Sequence, residues 1–238
     1  MPKPGKIAEG KASPLFLIYD LLESHFGDLC WWPAKSPFEV IIGAILTQNT
    51  AWGNVEKAIG NLRDRQFVSP EALARLPEQE LAALIRPSGY YRLKTKRLKS
   101  FLGFLFDRYN GDLAAMFARD TWDLRGELLQ VNGIGEETAD SILLYAGFKP
   151  VFVVDAYTRR IFSRHGIVEA SASYGDIQSL VMKIMPPDVK MYNQFHALLV
   201  NAAKYFCRKR PACNGCPLSA MPVNLAACPW DCLAGMPA

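Results

Sequence analysis

One carboxylate, one glycine hairpin and one run of cysteines hold most of the chemistry in this chain. An apolar run, Val151 to Val154, delivers a single acid, Asp155, about twenty residues after the tight turn Val131-Asn132-Gly133-Ile134-Gly135. Two glycines around one apolar residue let a turn expose several backbone N–H groups, and a helix starts where the turn ends. Oriented amides and the helix dipole together form a phosphate cradle. Such contacts position a duplex without reading its sequence. A carboxylate beside the cradle is a candidate catalytic group. Each feature has a plainer reading as well. The hairpin serves equally as an ordinary corner between helices, and Glu136 and Glu137 suit a helix's first turn but repel phosphate. Asp155 precedes Ala156-Tyr157-Thr158-Arg159 and so reads as a helix N-cap. The cap and catalytic readings are compatible, because a capping carboxylate is held rigidly and kept ionised by nearby N–H groups.

The cysteines are unevenly placed. Of six, only Cys30 lies before residue 200, and the rest are Cys207, Cys213, Cys216, Cys228 and Cys232. Clustering in one terminal segment argues for a metal group over disulfides spread through a secreted fold. The spacing Cys207-x5-Cys213-x2-Cys216 contains one close pair, where tetrahedral zinc usually takes two. Either Cys228 or Cys232 completes a set of four, and the shorter loop to Cys228 closes at slightly lower entropic cost.

The elements that must hold these groups are helices. Apolar residues recur at helical spacing in Leu15–Phe26, in Phe38–Leu46 continuing to Leu62 across the polar patch Thr47-Gln48-Asn49-Thr50, and in Leu93–Tyr109. Ser69-Pro70 starts another helix and Pro77-Glu78 a short one through Ile85. Thr121–Gln130 and Glu136–Phe148 flank the hairpin, and Asp155–His165, Tyr174–Met185 and Gln194–Phe206 complete an all-α reading. Val151–Val154 alone looks like a strand, and it lacks pairing partners.

Composition sets the limits. The chain has 238 residues, half of them hydrophobic, with 27 Lys and Arg against 23 Asp and Glu for a net charge of +4. That suffices for one large or two small domains and suits a nucleic-acid partner without requiring one. No apolar run approaches a membrane span. The polar, basic, proline-broken residues 1–14 read as a flexible tail, and the expected location is the cytoplasm.

Together the motifs carry a resemblance. VNGIGEETADSILLYA followed by VFVVDAYTRRIF resembles the helix-hairpin-helix and catalytic aspartate of the endonuclease III superfamily of DNA glycosylases. ILTQNT resembles the family helix whose glutamine enters the duplex, SGYYRLKTKRLK its glycine-aromatic-basic segment, and FHALLVNAAKYFCRKRPACNGCPL its entry into an iron–sulfur loop. The resemblance implies two helical domains with double-stranded DNA bound across a cleft. Residues 29–149 would form a six-helix domain with the hairpin, and residues 15–28 with 150–238 a second domain with an iron–sulfur loop at about 207–232. It implies a monomer acting on DNA that contains a damaged base, and a [4Fe–4S] cluster on Cys207, Cys213, Cys216 and Cys228. Asp155 becomes the catalytic residue, with Gln48, Gly133, Ile134 and Gly135 as DNA contacts. Bifunctional members carry a lysine where this chain has Glu137, and glutamate forms no Schiff base; loss of strand-cleaving lyase activity is therefore expected. The pair Trp31-Trp32 before ILTQNT and Trp52 just after it resemble the endonuclease III-like 3-methyladenine glycosylases. They suggest a base pocket for cationic alkylated purines, although a tryptophan taken alone is more often a core residue than a pocket wall. Removal of a mismatched or oxidised base, or damaged-DNA binding without turnover, are the competing functions. Arg92, Lys94, Lys96, Arg97 and Lys99 are candidate phosphate ligands or a solvated helix face.

Overall fold

A computed structural model describes residues 13–224 and Cys228. Residues 1–12 of the expected tail and Cys232 lie outside the described residues. Every regular element among the described residues is helical, and Val151–Val154 is buried extended chain that joins no sheet.

The described residues divide into two compact units, one of residues 13–29, 154–187 and 194–224 with Cys228, the other of Cys30–Val153 with Asp188–Asn193. The second unit holds α2 (Pro37–Leu46), α3 (Trp52–Asp64), α4 (Pro70–Arg75), α5 (Glu78–Leu84), α6 (Tyr91–Tyr109), α7 (Leu113–Phe117), α8 (Thr121–Leu129) and α9 (Glu136–Ser141), the last continuing as a wider π turn over Ile142–Ala146. Ser36 caps α2 by accepting from the Glu39 N–H, with Pro37 at the first helical position. All residues from Phe38 to Leu46 are buried, so α2 is the central helix of its unit. Its one acid, Glu39, is answered by Arg63 of α3 at 2.7 Å. The sequence reads α2 and α3 as one interrupted helix. They are separate, because Thr47–Ala51 turns the chain through Asn49, which has φ 53°. The short α7, capped by Asp112, escapes the periodicity reading because five residues span little more than one helical turn.

The first unit holds α1 (Pro14–Phe26), α10 (Ala156–Arg164), α11 (Tyr174–Ile184) and most of α12 (Val189–Tyr205). Here α12 begins five residues before the expected Gln194, since the turn Pro186-Pro187 ends just ahead of Asp188. The Tyr19 and Phe195 rings of α1 and α12 lie 5.7 Å apart. Gln194 donates to Gly27 O (2.8 Å) and accepts from Leu29 N–H (3.1 Å), fixing the end of α1.

Candidate active site and nucleic-acid interface

Asp155 is the N-cap of α10. Its Oδ1 accepts from the Thr158 N–H at 2.7 Å, and its Oδ2 lies 3.6 Å from Nε2 of His196 on α12. Both side chains are nearly enclosed, at 13% and 7% exposure. Burial pushes the Asp155 carboxyl up, but the facing His196 and the Thr158 amide outweigh burial and hold it below the usual carboxylate range. The plain cap reading is therefore correct, and the same geometry leaves a rigid anion with one oxygen turned to an imidazole. Nothing in the local pattern around Asp155 pointed to His196. Its only sequence signal is a lone polar residue on the apolar face of FHALL.

In the other unit the hairpin is built as its residue types require. Gly133 has φ +87°, and a Cβ there would collide with the Arg97 side chain. Ile134 is buried while Asn132 and Gly135 are exposed. Gly135 is the N-cap of α9 and makes no side-chain cap hydrogen bond, so no side chain of its own stands at the start of the helix. Behind the turn, Asp140 is fully buried and takes two bonds from Arg125, at 2.7 and 3.0 Å, locking α8 to α9. Glu137 is exposed in the first turn of α9.

Gln48 neither caps a helix nor projects freely. Its amide donates to Gly133 O (3.0 Å) and Thr138 Oγ1 (2.8 Å), and Arg97 donates to its oxygen. The Gln48 turn and the hairpin are thus one hydrogen-bonded block. The basic residues of α6 divide unequally. Arg92 and Lys96 are exposed, whereas Arg97 serves Gln48, Lys94 is buried, and Lys99 donates to Leu73 O, Ala74 O and Leu76 O at the end of α4. Three of the five candidates, read as phosphate ligands or a solvated face, are instead internal ties. A basic periodicity alone does not distinguish a cation facing water from one facing helix-terminal carbonyls.

Trp31, Trp32 and Trp52 come together. Trp32 is the hub, with ring centroids 5.0 Å from Trp52 (90°), 5.7 Å from Trp31 (71°) and 5.1 Å from Tyr145 (40°). Each tryptophan is half-buried, and Tyr145, on the π turn, is a fourth member that the sequence did not suggest. A Cβ at Gly43 would sit 3.3 Å from the Trp32 ring, so α2 approaches the indole through a glycine.

Cys207, Cys213, Cys216 and Cys228 line one cavity, together with Phe206, Leu218 and Val223. Arg164 reaches it from α10, donating to Cys207 Sγ (3.1 Å), Arg208 O (2.7 Å) and Lys209 O (3.1 Å), while Arg160 Nε donates to Cys207 O (2.7 Å). Among the described residues no three Cys, His, Asp or Glu side chains form a ready set for a metal ion. The helices of both units contain none long and apolar enough to cross a membrane among the described residues.

Comparison with known proteins agrees with these features. A DNA repair glycosylase of Methanocaldococcus jannaschii, so named provisionally, is 46% identical over 211 residues, covering 88% of this chain and 96% of that one. A trapped endonuclease III–DNA covalent intermediate superposes with a TM-score of 0.75 at 26% identity, covering 87% of this chain and 93% of the other. The Helicobacter pylori 3-methyladenine DNA glycosylase MagIII bound to 1,N6-ethenoadenine superposes with a TM-score of 0.67 at 29% identity, covering 78% and 95%. Residues 42–187, which hold the Gln48 turn, the hairpin and the capping Asp155, match the model of the HhH-GPD superfamily of base excision DNA repair proteins, and to that superfamily the chain belongs.

Proposed function

We propose that this protein is a monofunctional DNA glycosylase that hydrolyses the N-glycosidic bond of alkylated purines such as N3-methyladenine. The observation that carries the activity is Asp155, a nearly enclosed carboxylate held ionised by the Thr158 amide and by His196. Cleaving the bond leaves positive charge on the sugar. A fixed anion stabilises that charge and orients, or deprotonates, the attacking water. The nucleotide must leave the stack to be cut, and the hairpin amides with the exposed Arg92 and Lys96 are the proposed phosphate contacts.

The substrate reading rests on the aromatic cluster. An electron-rich wall of Trp31, Trp32 and Trp52 attracts a base that already carries positive charge. Such a base is also a good leaving group, so little acid assistance is needed. The ethenoadenine-bound H. pylori relative supports a modified purine. Glu137 supports hydrolysis without lyase chemistry, because the first turn of α9 offers no amine there.

The four cysteines around one cavity supply the donor chemistry for a [4Fe–4S] cluster, and the Arg164 guanidinium at its edge suits a group of net negative charge. Such a cluster would supply electron-transfer capacity. In this reading these residues hold it for its structural effect, stapling the segment after α12.

The test is single-turnover release of N3-methyladenine from a duplex by the wild type and by Asp155→Asn. Release by the wild type, reduced about 10²- to 10⁴-fold in the variant, is expected. Unchanged release in the variant would remove Asp155 from the chemistry. Borohydride trapping of the protein on DNA would overturn the monofunctional reading.

A further inference from the structure

Lys94 is 1% exposed, yet it is charged at neutral pH and sits in the middle of a segment expected to meet DNA. Its ammonium has three donors, and each has an acceptor from a different stretch of chain: Leu46 O at the end of α2 (2.8 Å), Thr50 Oγ1 in the turn after it (2.5 Å), and Ser88 O in the tight turn Arg86–Ser88 (2.6 Å). Thr50 closes the triangle by donating to Ser88 O at 2.5 Å. One face of this tie leads to Gln48. The other leads through Gly89 to Tyr90, which is 71% exposed and held at φ 45°.

We propose that Lys94 is a positioning residue that fixes the Gln48 turn and the Tyr90 loop in a single arrangement, and thereby sets the protein's affinity for a duplex with a missing base. The inference rests on the DNA-binding reading above. Its physical basis is a count of donors. A neutral amine has two N–H groups and a lone pair in place of three donors, so the Thr50 contact must reverse, its hydroxyl turning from Ser88 O to the amine nitrogen, and the tie rearranges. Arg97, on the same helix, is the charged side chain that acts on Lys94. From α2, the Thr47–Ala51 turn and the Arg86–Ser88 turn, it meets the Leu46 and Ser88 carbonyls and the Thr50 hydroxyl. Burial, with the Arg97 charge added, lowers its pKa to about 8, so the donor count changes within an accessible pH range.

The experiment measures binding of the full chain to a duplex with one tetrahydrofuran abasic analogue and to the matched intact duplex, for wild type, Lys94→Met and Thr50→Val. Lys94→Met should weaken binding to the abasic duplex by about tenfold, the scale of one buried acceptor left unpaired. Amide exchange should quicken at residues 46–50 and 86–90 together and not elsewhere. Wild-type preference for the abasic duplex should decline as pH rises through about 8, and Lys94→Met should lack that limb. Thr50→Val keeps the volume, removes the bridging hydroxyl, and should shift affinity in the same direction; it decides the matter if Lys94→Met does not fold. Folded variants that bind within twofold of wild type, with no local change in exchange, overturn the positioning role and leave the proposed function standing. A wild type that does not prefer the abasic duplex overturns the function itself, and this inference with it.

Discussion

At the scale of single residues, Gly43 and Asp155 each make a position readable as chemistry. Gly43 lies inside α2, where alanine is ordinarily better by about 0.5–1 kcal/mol. Here the added methyl would meet the Trp32 ring at 3.3–3.4 Å, tighter than a relaxed contact. Gly43→Ala should therefore leave global stability within about 1 kcal/mol of wild type, because the helical gain offsets the crowding. It should lower release of N3-methyladenine about tenfold by moving the hub of the aromatic cluster, about 1.4 kcal/mol in the barrier. Melting curves and single-turnover release on one preparation test both halves. For Asp155 the sign of the pH effect follows from its lowered pKa. A carboxyl whose folded pKa lies below its unfolded value contributes stability above the unfolded pKa, and loses it as pH falls through the folded one. Release should thus keep its Asp155 anion down through the ordinary carboxylate range near pH 4. His196→Phe removes the partner and should move the acid limb upward; a limb that does not move would show that His196 leaves the carboxylate alone.

At the scale of elements, α8 and α9 form the hairpin because Arg125 and Asp140 pin them from behind. Asp140→Asn removes the buried charge that Arg125 faces and leaves it the more distant Glu136 carboxylate at 3.6 Å; it should cost about 3 kcal/mol, the low end for a broken buried pair because Arg125 is 16% exposed. The denaturation midpoint measures this, and Arg125→Met combined with Asp140→Leu should recover part of the loss. Val131 to Gly135 was legible because turn geometry and glycine are bound together, and the cap at Asp155 because N-cap preference is local. Arg125–Asp140, Lys94–Leu46 and Asp155–His196 span about 15, 48 and 41 residues of chain. Periodicity assigns such groups to a face and is silent about the partner on another element. For that reason the basic residues of α6 read as phosphate ligands or a solvated face, while Lys94, Arg97 and Lys99 are struts to other elements. The Gln48 turn is a case in between. Its polar residues marked a break in the helix correctly, but the amide's engagement with Gly133 O depends on the hairpin's final position.

At the scale of the whole molecule, its buried titratable groups predict an alkaline stability profile with two opposing slopes. Lys94 and Lys99 have lowered pKa values, Lys94 to about 8, mainly through burial. Between about pH 8 and the unfolded lysine value near 10.4 the unfolded chain binds more protons than the folded one, so folding stability rises with pH. Tyr19, Tyr109 and Tyr192 are shifted the other way, chiefly by burial, with Glu23 and Glu127 adding to the first two. Their folded forms keep a proton that the unfolded chain gives up near pH 10, so stability is lost from there upward. The free energy of unfolding should climb from pH 8, turn over near pH 10 and then fall, a shape that denaturant titrations at half-unit intervals resolve. Lys94→Met should flatten the rise and leave the fall. Lys94 thus acts in opposite senses at two levels. Its deprotonation stabilises the folded chain relative to the unfolded one, and it also removes a donor from the tie between the Gln48 turn and the Tyr90 loop. Affinity for an abasic duplex should therefore decline across the same pH interval in which the fold grows more stable. A parallel decline in both would mean that the loss of binding is unfolding rather than release of the two turns.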